Sequence, residues 1–347
     1  MLCLKVRKDN AEKVRKYLAR RKLSDNNYRI YGSGKFIYIP IAGLSASRQL
    51  GALLGRGMAE LSSRRFEPAG NRQGYRKAVS RALGGSEDYS KGYDVMGDIA
   101  IIDARSRKSA LGLAKVIMGI NKGIKTVLSK GGPVSGEYRT RRYVYVCGER
   151  KFDAVYRENG CTFMMDVRKA FFSPRLSYER GRIRSLATDG ENVMVMFAGT
   201  GPFAIEVAKA HSNTKVVAIE LNRNAYRYMV KNIKLNKAVN VEPVLGDVKE
   251  VALRYKGFAD RIVMPLPKDS YSFIGAAVLA AKRRCVVHYY AFGSKDNALA
   301  EHCEKLRALL KPKGIRFRVL SWRVVRPYSA SEVEIAIDFE MLKKKTA

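Results

Sequence analysis

The sequence is short of cysteine, histidine and long apolar runs. Its 5 cysteines and 3 histidines are scattered over 347 residues, and no Cys-x-x-Cys pair is present to suggest a zinc motif. We therefore expect reduced thiols and no metal site. No apolar run approaches the roughly 18 residues that a membrane-spanning helix needs, and the first residues lack the pattern of a signal peptide. These absences predict a cytoplasmic protein that does not span a membrane.

Negative charge is also scarce. The chain has 32 Asp and Glu residues against 66 Lys and Arg residues, which gives a net charge of +34. Such an excess destabilises a compact chain by self-repulsion unless a polyanion is close by. Nucleic acid is the expected partner, since neutralisation of phosphates dominates this kind of binding. An acidic membrane surface, or an adaptation for solubility or heat, is the alternative that composition leaves open.

Length and a hydrophobic content of 46% allow two or three domains with a proper core. The hydrophobic pattern divides the chain into four parts. We predict a small α/β domain over residues 1–60, a basic and partly helical linker over 61–90, an α+β domain over 91–185, and an α/β domain over 186–347.

The first of these parts combines a strand, a helix and a hairpin. Leu2–Val6 alternate as a strand, Asp9 or Asn10 is placed to cap a helix, and a hairpin turns at Gly32–Gly34. The face of the helix opposite its apolar stripe carries many basic side chains, namely Lys13, Arg15, Lys16, Arg20, Arg21 and Lys22. This face suits contact with a nucleic-acid backbone, and a merely solvated surface is the alternative.

The stretch Val193–Phe203 organises the last part of the chain. Val193–Phe197 is a short apolar run that predicts a buried parallel strand. Gly199 and Gly201 then allow a sharp turn and a close approach of the backbone to a ligand, and Pro202 suits the first turn of a helix. These are the parts of a nucleotide pocket at the carboxyl edge of a doubly wound sheet. The spacing is not Gly-x-Gly-x-x-Gly, which argues against a dinucleotide.

Strands and helices alternate from residue 193 to about residue 310, and two strands follow with few helical residues between them. Such an ending predicts an antiparallel pair at the edge of the sheet. The fold class expected is therefore α/β, with a class I (Rossmann-like) methyltransferase sheet preceded by the α+β domain and the small N-terminal α/β domain.

Acidic residues end the next two predicted strands. Glu220 follows the glycine turn by about 20 residues, where a carboxylate can accept the ribose hydroxyls of a nucleoside. Asp247 ends the third strand and is placed to reach an adenine amino group. A glycine turn, two such acids and no Walker lysine favour S-adenosylmethionine over ATP. The alternative for both residues is an exposed acid at a strand end that binds no ligand.

The fourth strand of this domain ends in Met264-Pro265-Leu266-Pro267. Two prolines stiffen this backbone and leave carbonyl groups that a sheet cannot all pair. The segment lies at the end of the sheet where such folds bind ligands, so we expect it to wall the reactive end of the pocket. A plain strand terminator is the alternative.

Eight motifs in order resemble the archaeal and eukaryotic tRNA (guanine-37-N1)-methyltransferases. The resemblance runs almost end to end and includes the small N-terminal domain of the archaeal members. The motifs are Leu2–Lys5, Tyr93–Ala100, Gly136–Thr140, Tyr156–Gly160, Phe172–Leu176, Glu179–Arg180, Met196–Phe203 and Val287–Tyr290.

This resemblance implies transfer of the methyl group of S-adenosylmethionine to N1 of the guanosine at position 37 of tRNA. Glu179 falls on the family's general base, which is needed because guanine N1 carries a proton at neutral pH. Phe171, Phe172 and Pro174 are expected to make a drier pocket that raises the basicity of this carboxylate. Without the resemblance, Glu179 reads as an ordinary acid in the first turn of a helix.

The same resemblance assigns further site residues. Arg139 falls on the arginine that holds the O6 of the base, where negative charge develops. The domain over 91–185 is then expected to carry tRNA and catalytic contacts, and the N-terminal domain to bind the tRNA body. The remaining assignments are Tyr138, Arg175, Arg180 and Pro267 for the substrate, and Phe197, Ala198, Gly199, Gly201, Pro202, Glu220, Leu221, Asn222, Asp247, Met264 and Pro265 for the cofactor.

Three positions depart from the family pattern. Pro265 stands where many members have asparagine, so only a backbone role is carried over to it. Arg223 follows Asn222 where proline is common, and Glu220 stands where several members have aspartate. We regard the changes at residues 223 and 220 as compatible with the activity of the family.

Two other functions stay open. A sister enzyme of wyosine biosynthesis methylates the tricyclic intermediate as well as guanosine N1, and the missing asparagine leaves room for that activity. Aminocarboxypropyl transfer is disfavoured, because those enzymes resemble Phe-Ser-x-Gly-Asn where this chain has Phe172–Leu176. A non-catalytic tRNA-binding protein is the less favoured alternative. For the enzyme we expect a monomer that binds tRNA through its anticodon stem-loop and body.

Overall fold

The computed structural model describes residues 2–21, 23–25, 30–41, 50–55, 57–64, 72–84, 88–90, 92–133, 136, 138 and 140–343. The chain forms two compact units, residues 1–85 and residues 86–347. Within the described residues, no helix has both the length and the apolar character needed to cross a membrane. The finer division into four parts stays a prediction.

The first unit is built on a four-stranded antiparallel sheet in the order β2-β3-β1-β4. Its core holds Leu4, Val14, Leu18, Ile39 and Leu50, all of them at most 1% exposed. The elements are β1 (Leu2–Arg7), α1 (Ala11–Arg20), β2 (Tyr31–Ser33), β3 (Phe36–Pro40), α2 (Gly51–Leu54), β4 (Ala59–Ser63) and α3 (Arg72–Leu83).

The predicted strand, helix and hairpin of this unit are confirmed, with the chain turning at Gly34 between β2 and β3. Asn10 occupies the N-cap position of α1 but makes no side-chain capping bond. Strand β4 was missed, because Ala59–Ser63 is a half-polar sequence that becomes a strand only by pairing with β1. It crosses the predicted boundary at residue 60.

The second unit begins with a four-stranded sheet in the order β5-β6-β7-β8. Its elements are β5 (Asp94–Met96), β6 (Ile99–Ile102), α4 (Arg107–Ile120), β7 (Thr126–Lys130) and β8 (Tyr143–Gly148). Gly97 lies in a tight turn between β5 and β6. Gly97 has φ +60°, and a Cβ there would collide with the carbonyl oxygen of Val155, so this turn requires glycine.

A two-stranded hairpin, β9 (Asp153–Glu158) and β10 (Cys161–Asp166), follows. Two asparagines of a later helix replace a neighbouring strand for β10. The backbone N–H groups of Thr162 and Met164 donate to the side-chain oxygens of Asn236 and Asn232, both at 2.8 Å. The side-chain amides donate back to the carbonyl oxygens of the same two residues at 2.7 and 3.1 Å. This amide ladder fixes the hairpin to the main sheet domain.

The main sheet has seven strands in the order β13-β12-β11-β14-β15-β17-β16. Strands β11 to β15 are parallel, and β17 is antiparallel to both of its neighbours. The elements, in chain order, are α5 (Ser177–Leu186), β11 (Asn192–Val195), α6 (Pro202–Ala210), β12 (Lys215–Glu220), α7 (Arg223–Leu235), β13 (Val241–Leu245), α8 (Val248–Arg254), β14 (Ala259–Met264), α9 (Ile274–Ala280), β15 (Ala281–Ser294), α10 (Ala298–Leu310), β16 (Arg316–Pro327) and β17 (Glu332–Leu342).

The prediction of a Rossmann-like methyltransferase sheet with an antiparallel ending is confirmed by this order. Three features differ from expectation. Strand β9 and the short helix α8 were missed, and the strand predicted to end at Phe197 ends at Val195. Met196 still donates its backbone N–H to Val263 at 3.0 Å, so the chain leaves the sheet only at Phe197.

Candidate functional site: a nucleoside pocket beside a buried carboxylate

Four adjacent strands place the predicted cofactor residues along one edge of the main sheet. Their order is β13, β12, β11 and β14, and each strand ends with one of the predicted groups. These groups are Asp247, Glu220, the glycine turn and the segment Met264–Pro267. Because parallel strands end at the same edge, residues from four separate chain segments meet in one crevice.

The glycine turn begins with strained backbone. Phe197 has φ +57°, which is uncommon for a residue with a side chain. Its ring packs edge-on against Phe273, with the ring centroids 4.7 Å apart. Gly201 has φ +88° and is the N-cap residue of α6, with Pro202 in the first turn. A Cβ on Gly201 would lie 3.0 Å from Cγ of Met229, so packing as well as backbone conformation favours glycine here.

Glu220 closes this turn from the neighbouring strand. Its two oxygens accept hydrogen bonds from the backbone N–H groups of Gly199 at 2.6 Å and Asn222 at 2.7 Å. Burial raises the pKa of Glu220, while these amide bonds act in the opposite direction. Each carboxylate oxygen has a second lone pair, so the carboxylate can still accept a pair of hydroxyl groups. This is the chemistry that the two hydroxyls of a ribose require.

Asn222 and Asp247 both cap helices. The side-chain oxygen of Asn222 accepts from the N–H groups of Asn224 and Ala225 at the start of α7, and its amide donates to the carbonyl of Lys169 at 2.8 Å. Asp247 accepts from the N–H of Lys249 at 2.6 Å at the start of α8. Both residues are predicted to bind the cofactor. The structure places them at the expected edge and shows a capping role that was missed.

The segment after β14 is held by its own backbone and by Ser270. The carbonyl of Met264 accepts from the N–H of Leu266 at 2.9 Å, and the carbonyl of Pro267 accepts from the N–H of Phe292 at 3.2 Å. Ser270 donates its hydroxyl to the carbonyl of Leu266 at 2.8 Å. Pro265 is thus fixed between two bonded residues at the sheet edge, as a wall of the crevice requires.

The residues present fit a nucleoside. Glu220 offers paired acceptors, and Leu221 beside it is 37% exposed at the same edge and offers an apolar surface. The tight turn at Gly199 and Gly201 leaves the backbone without side chains where a ligand comes close. Ala198 is anchored by donating its N–H to the carbonyl of Ile219 at 2.8 Å. S-adenosylmethionine fits this donor and acceptor set.

Glu179 lies beside this crevice in the first turn of α5. It is only 2% exposed. Tyr290 donates its hydroxyl to Glu179 Oε2 at 2.9 Å, and the ring of Tyr290 lies 6.0 Å from that of Phe203, which follows Pro202. The segment leading into α5 also lies against the turn, since the carbonyl oxygen of Phe171 would lie 3.6 Å from a Cβ on Gly199.

The two oxygens of Glu179 differ in their surroundings. Oε2 accepts from Tyr290 and from Nε of Arg182, both at 2.9 Å. Among the residues that the structure describes, the contact of Oε1 is a longer one, 3.3 Å to Nη1 of the partly exposed Arg323. Burial and the charge of Glu179 raise the pKa of Tyr290 well above its ordinary value, so the tyrosine remains a donor. The ring of Phe172 packs against Tyr156 and Phe163, and Phe171 is 41% exposed, so the dry pocket expected around Glu179 stays a prediction. The groups bonded to the carboxylate are two arginines and a tyrosine.

Arg180 is buried beneath the loop that precedes α5. It donates to both oxygens of Glu158, at 2.5 and 2.8 Å, and to the carbonyl of Ser173 at 3.1 Å. Its guanidinium also lies 4.8 Å from the ring centroid of Phe172. With 2% exposure, Arg180 shapes the loop of the pocket from below, although the resemblance had assigned it to the substrate.

Two other predicted substrate residues lie nearer the surface. Arg175 makes a two-pronged ion pair with Asp94, at 2.8 and 3.2 Å, and its side chain is 56% exposed. Tyr138 is 52% exposed. Arg139, the predicted partner of the base's O6, lies outside the described residues, so its assignment stays a prediction.

A row of buried polar side chains, not predicted from the sequence, begins at Glu179 and crosses the sheet. After Arg182 come Asp338 on β17, His288 on β15 and Arg261 on β14, each at most 6% exposed. The side chain of Arg182 is 13% exposed. The only sequence signal was His288 in the motif Val287–Tyr290. Nothing in the sequence connects residues 179 and 338 before the sheet is formed.

Family models match three stretches of the chain. The TRM5/TYW2 methyltransferase domain matches residues 154–319, the tRNA methyltransferase 5 N-terminal domain matches residues 3–45, and the TYW2 N-terminal domain matches residues 77–151. The methyltransferase match begins at the hairpin β9–β10 and contains both Glu179 and the glycine turn.

The chain is similar to known proteins over nearly its whole length. The tRNA (guanine(37)-N(1))-methyltransferase Trm5b of Pyrococcus abyssi is 35% identical over 98% of this chain and 99% of its own. A solved complex of aTrm5 and tRNALeu has a TM-score of 0.69 at 31% identity, covering 98% and 99% of the two chains. Trm5 of Methanocaldococcus jannaschii in complex with adenosine has a TM-score of 0.66 at 29% identity, covering 99% and 100%.

Proposed function

Because the chain belongs to the archaeal and eukaryotic tRNA (guanine-37-N1)-methyltransferase family, we propose that it methylates N1 of the guanosine at position 37 of tRNA. One observation carries this proposal. The buried carboxylate of Glu179 lies against the same sheet edge at which Glu220 and the glycine turn form a nucleoside pocket. A base and a site for the methyl donor are therefore neighbours.

The family is S-adenosylmethionine-dependent, and the relative bound to adenosine supports the same pocket for the nucleoside part of the cofactor here. In this chain Glu220 is proposed to hold the ribose hydroxyls, with Leu221 beside the adenine. The backbone at Phe197–Gly201 and the segment Met264–Pro267 would flank the remainder. When bound, the cofactor supplies an electrophilic methyl group on a sulfonium.

Glu179 is proposed to take the proton that guanine N1 must lose. As the bond between N1 and the methyl carbon forms, the carbon–sulfur bond breaks and sulfur keeps its electron pair. The N1 proton passes to the carboxylate. We assign Oε1 to this step, because Tyr290 and Arg182 occupy Oε2, while within the described part of the chain Oε1 has only the 3.3 Å contact to Arg323.

The tRNA is proposed to contact exposed basic and aromatic side chains, with its target base extruded from the stack. Tyr138 and Arg175 are exposed, as such contacts require, and Arg139 is proposed to hold O6 of the base. The solved complex of a relative with tRNALeu supports tRNA as the partner. We further infer a monomer that acts in the cytoplasm, consistent with 5 unpaired cysteine thiols.

Methyl transfer to unmodified tRNA transcripts tests the proposal. Transcripts with guanosine or adenosine at position 37 are incubated with labelled S-adenosylmethionine, digested and analysed as nucleosides. We expect 1-methylguanosine from the first transcript and no labelled product from the second. A different methylated nucleoside, or labelling of both transcripts, would contradict the assignment of base and atom.

A further inference from the structure

His288 belongs to a sequence motif that methyl transfer alone leaves without a role. It is 1% exposed and lies on β15 between two charged groups from neighbouring strands. Nη1 of Arg261 lies 2.8 Å from Nε2, and Oδ1 of Asp338 lies 2.7 Å from Nδ1. The far end of this row is Glu191, which accepts two hydrogen bonds from Arg261 at 2.7 and 2.8 Å.

The hydrogen bonds fix the protonation of this histidine. A guanidinium only donates, so Nε2 of His288 accepts from Arg261 and the ring proton is on Nδ1, where it is donated to Asp338. Burial lowers the pKa of His288, which agrees with a neutral ring. Burial alone raises the pKa of Asp338, but the bonds from His288 and Arg182 outweigh it and hold this pKa well below its ordinary value. Asp338 is therefore a fixed anion.

Asp338 connects the histidine to the proposed base. It accepts two hydrogen bonds from the guanidinium of Arg182, one of them from Nη2 at 3.3 Å. It accepts a third hydrogen bond from the hydroxyl of Ser321 at 2.9 Å. The remaining Nε of Arg182 points to Oε2 of Glu179 at 2.9 Å. Arg182 is thus clamped between two carboxylates, and its orientation is set from the side of Asp338.

We propose that Asp338 and His288 are positioning residues for Glu179, which hold Arg182 so that Oε2 is occupied and Oε1 is left to accept the proton. This inference rests on the proposed function. The anion at Asp338 also offsets the positive charge of Arg182, which would otherwise weaken Glu179 as a base. Buried ionic groups cost more to desolvate than apolar replacements of the same volume, so a row of them ending at the reacting carboxylate indicates a functional use.

Asp338→Asn tests the electrostatic part of the proposal. Of the described residues, Arg182, Tyr290 and Arg323 face Glu179, and Arg182 is the one that Asp338 balances. With that balance lost, Glu179 is a weaker base. We expect the single-turnover rate of methyl transfer to fall about 10- to 100-fold and the acidic limb of its pH profile to move to lower pH. Dissociation constants for tRNA and cofactor should stay within twofold.

His288 supplies a second pair of variants. His288→Leu removes the donor to Asp338, whereas His288→Asn places an amide N–H near the position of Nδ1 and keeps it. We expect the leucine variant to lose rate as Asp338→Asn does, and the asparagine variant to recover most of that loss. If Asp338→Asn fails to fold by circular dichroism, the comparison of these two variants decides the question.

Glu340→Gln is the matched control. Glu340 lies on the same strand as Asp338, is also 4% exposed, and is paired with Arg284 and Arg318, but it does not contact the row ending at Glu179. Equal losses in Glu340→Gln and Asp338→Asn, an unmoved acidic limb, or no recovery in His288→Asn each overturn the positioning role. If the wild-type product is not 1-methylguanosine, the proposed function is wrong. The positioning role can still be tested in that case, because the rates of the variants can be measured for the product that does form.

Discussion

At the scale of single residues, Glu179 shows how its surroundings set the role of a carboxylate. An acid in the first turn of a helix is common and favourable, and this sequence position alone gives no reason to expect more. In the structure its side chain is buried and is held by Arg182, Tyr290 and Arg323. Such an arrangement fixes the direction of a lone pair, which a surface glutamate cannot do.

Glu179→Gln is expected to lower the rate of methyl transfer about 10²- to 10⁴-fold, the usual contribution of a general base. The amide oxygen can replace Oε2 as acceptor for Arg182 and Tyr290, so tRNA affinity should change little. Rates come from single-turnover assays and affinities from filter binding. Glu250→Gln, an exposed first-turn acid of α8, is the control and should behave as wild type. Equal losses of rate and affinity would show that Glu179 is structural.

A second buried acid lies on the helix that follows the glycine turn. Glu206 is fully buried and accepts from Asn159 at 2.8 Å, but its other oxygen has no hydrogen-bond partner within the described structure. Burial and the charge of Glu158 raise the pKa of Glu206 to about 8. Arg180 is the cation that Glu158 and Glu206 share, at 2.5 and 3.7 Å. The folded protein therefore holds a proton on Glu206 near neutral pH.

This proton makes stability depend on pH. A carboxyl with a raised pKa in the folded state binds its proton more tightly than in the unfolded chain, so the free energy of unfolding falls as pH rises from about 4.5 through about 8. Glu206→Gln, which mimics the protonated acid, should flatten that fall and raise the melting temperature above pH 8. Calorimetric scans between pH 5 and pH 9 measure how the stability of the wild type and of Glu206→Gln changes with pH. An identical pH dependence in the two proteins would show that Glu206 is ionised throughout this range.

At the scale of elements, the sequence predicted those pieces whose signals are local. The glycine turn with Pro202, the helix with Glu179 in its first turn and the hairpin of the first unit all appear as expected. Their determinants are neighbours in the chain, namely glycines with positive φ, a proline in the first helical turn and alternating apolar residues.

The elements that were missed depend on distant partners. Strand β4 exists through pairing with β1, and β9 through pairing with β10. The row from Glu179 to Glu191 joins five parts of the chain, so no window of sequence contains it. Asp247 was correctly placed at the sheet edge, yet its capping bond to Lys249 became visible only once α8 was seen.

The amide ladder between α7 and β10 supplies a test at this scale. Asn236→Ala removes the bonds to the N–H and carbonyl of Thr162, at 2.8 and 2.7 Å, and leaves those backbone groups partly buried without a partner. We expect a loss of about 2–3 kcal/mol in the free energy of unfolding. Urea denaturation measures it. Asn224→Ala, an exposed position on the same helix, should change stability by less than about 0.5 kcal/mol.

At the scale of the whole molecule, the excess of positive charge is shared by both compact units. In the first unit, α1 buries Val14 and Leu18 and exposes Lys13, Arg15, Lys16 and Arg20. Glu12 lies 3.8 Å from both Arg15 and Lys16, and such exposed pairs are weak. Phosphates can therefore compete for these side chains.

Removal of residues 1–85, the first compact unit, is expected to weaken tRNA binding and leave cofactor binding unchanged. Each lost phosphate contact should also reduce the salt dependence of binding, by about 0.7 to 0.9 in the slope of log K against log salt. Titration calorimetry with S-adenosylhomocysteine and filter binding with tRNA at several salt concentrations give both quantities. Loss of cofactor binding would show that the second unit does not fold alone.

The row of buried charges has a consequence for how this protein can evolve. Removing one partner of a buried pair costs about 3–5 kcal/mol, which is a large part of the 5–15 kcal/mol that typically separates folded from unfolded chains. A lineage cannot easily lose Asp338 while keeping Arg182, or lose His288 while keeping Arg261. We expect these positions to change together or not at all among descendants. Selection on Glu179 would then also act on residues of the distant strands β14, β15 and β17.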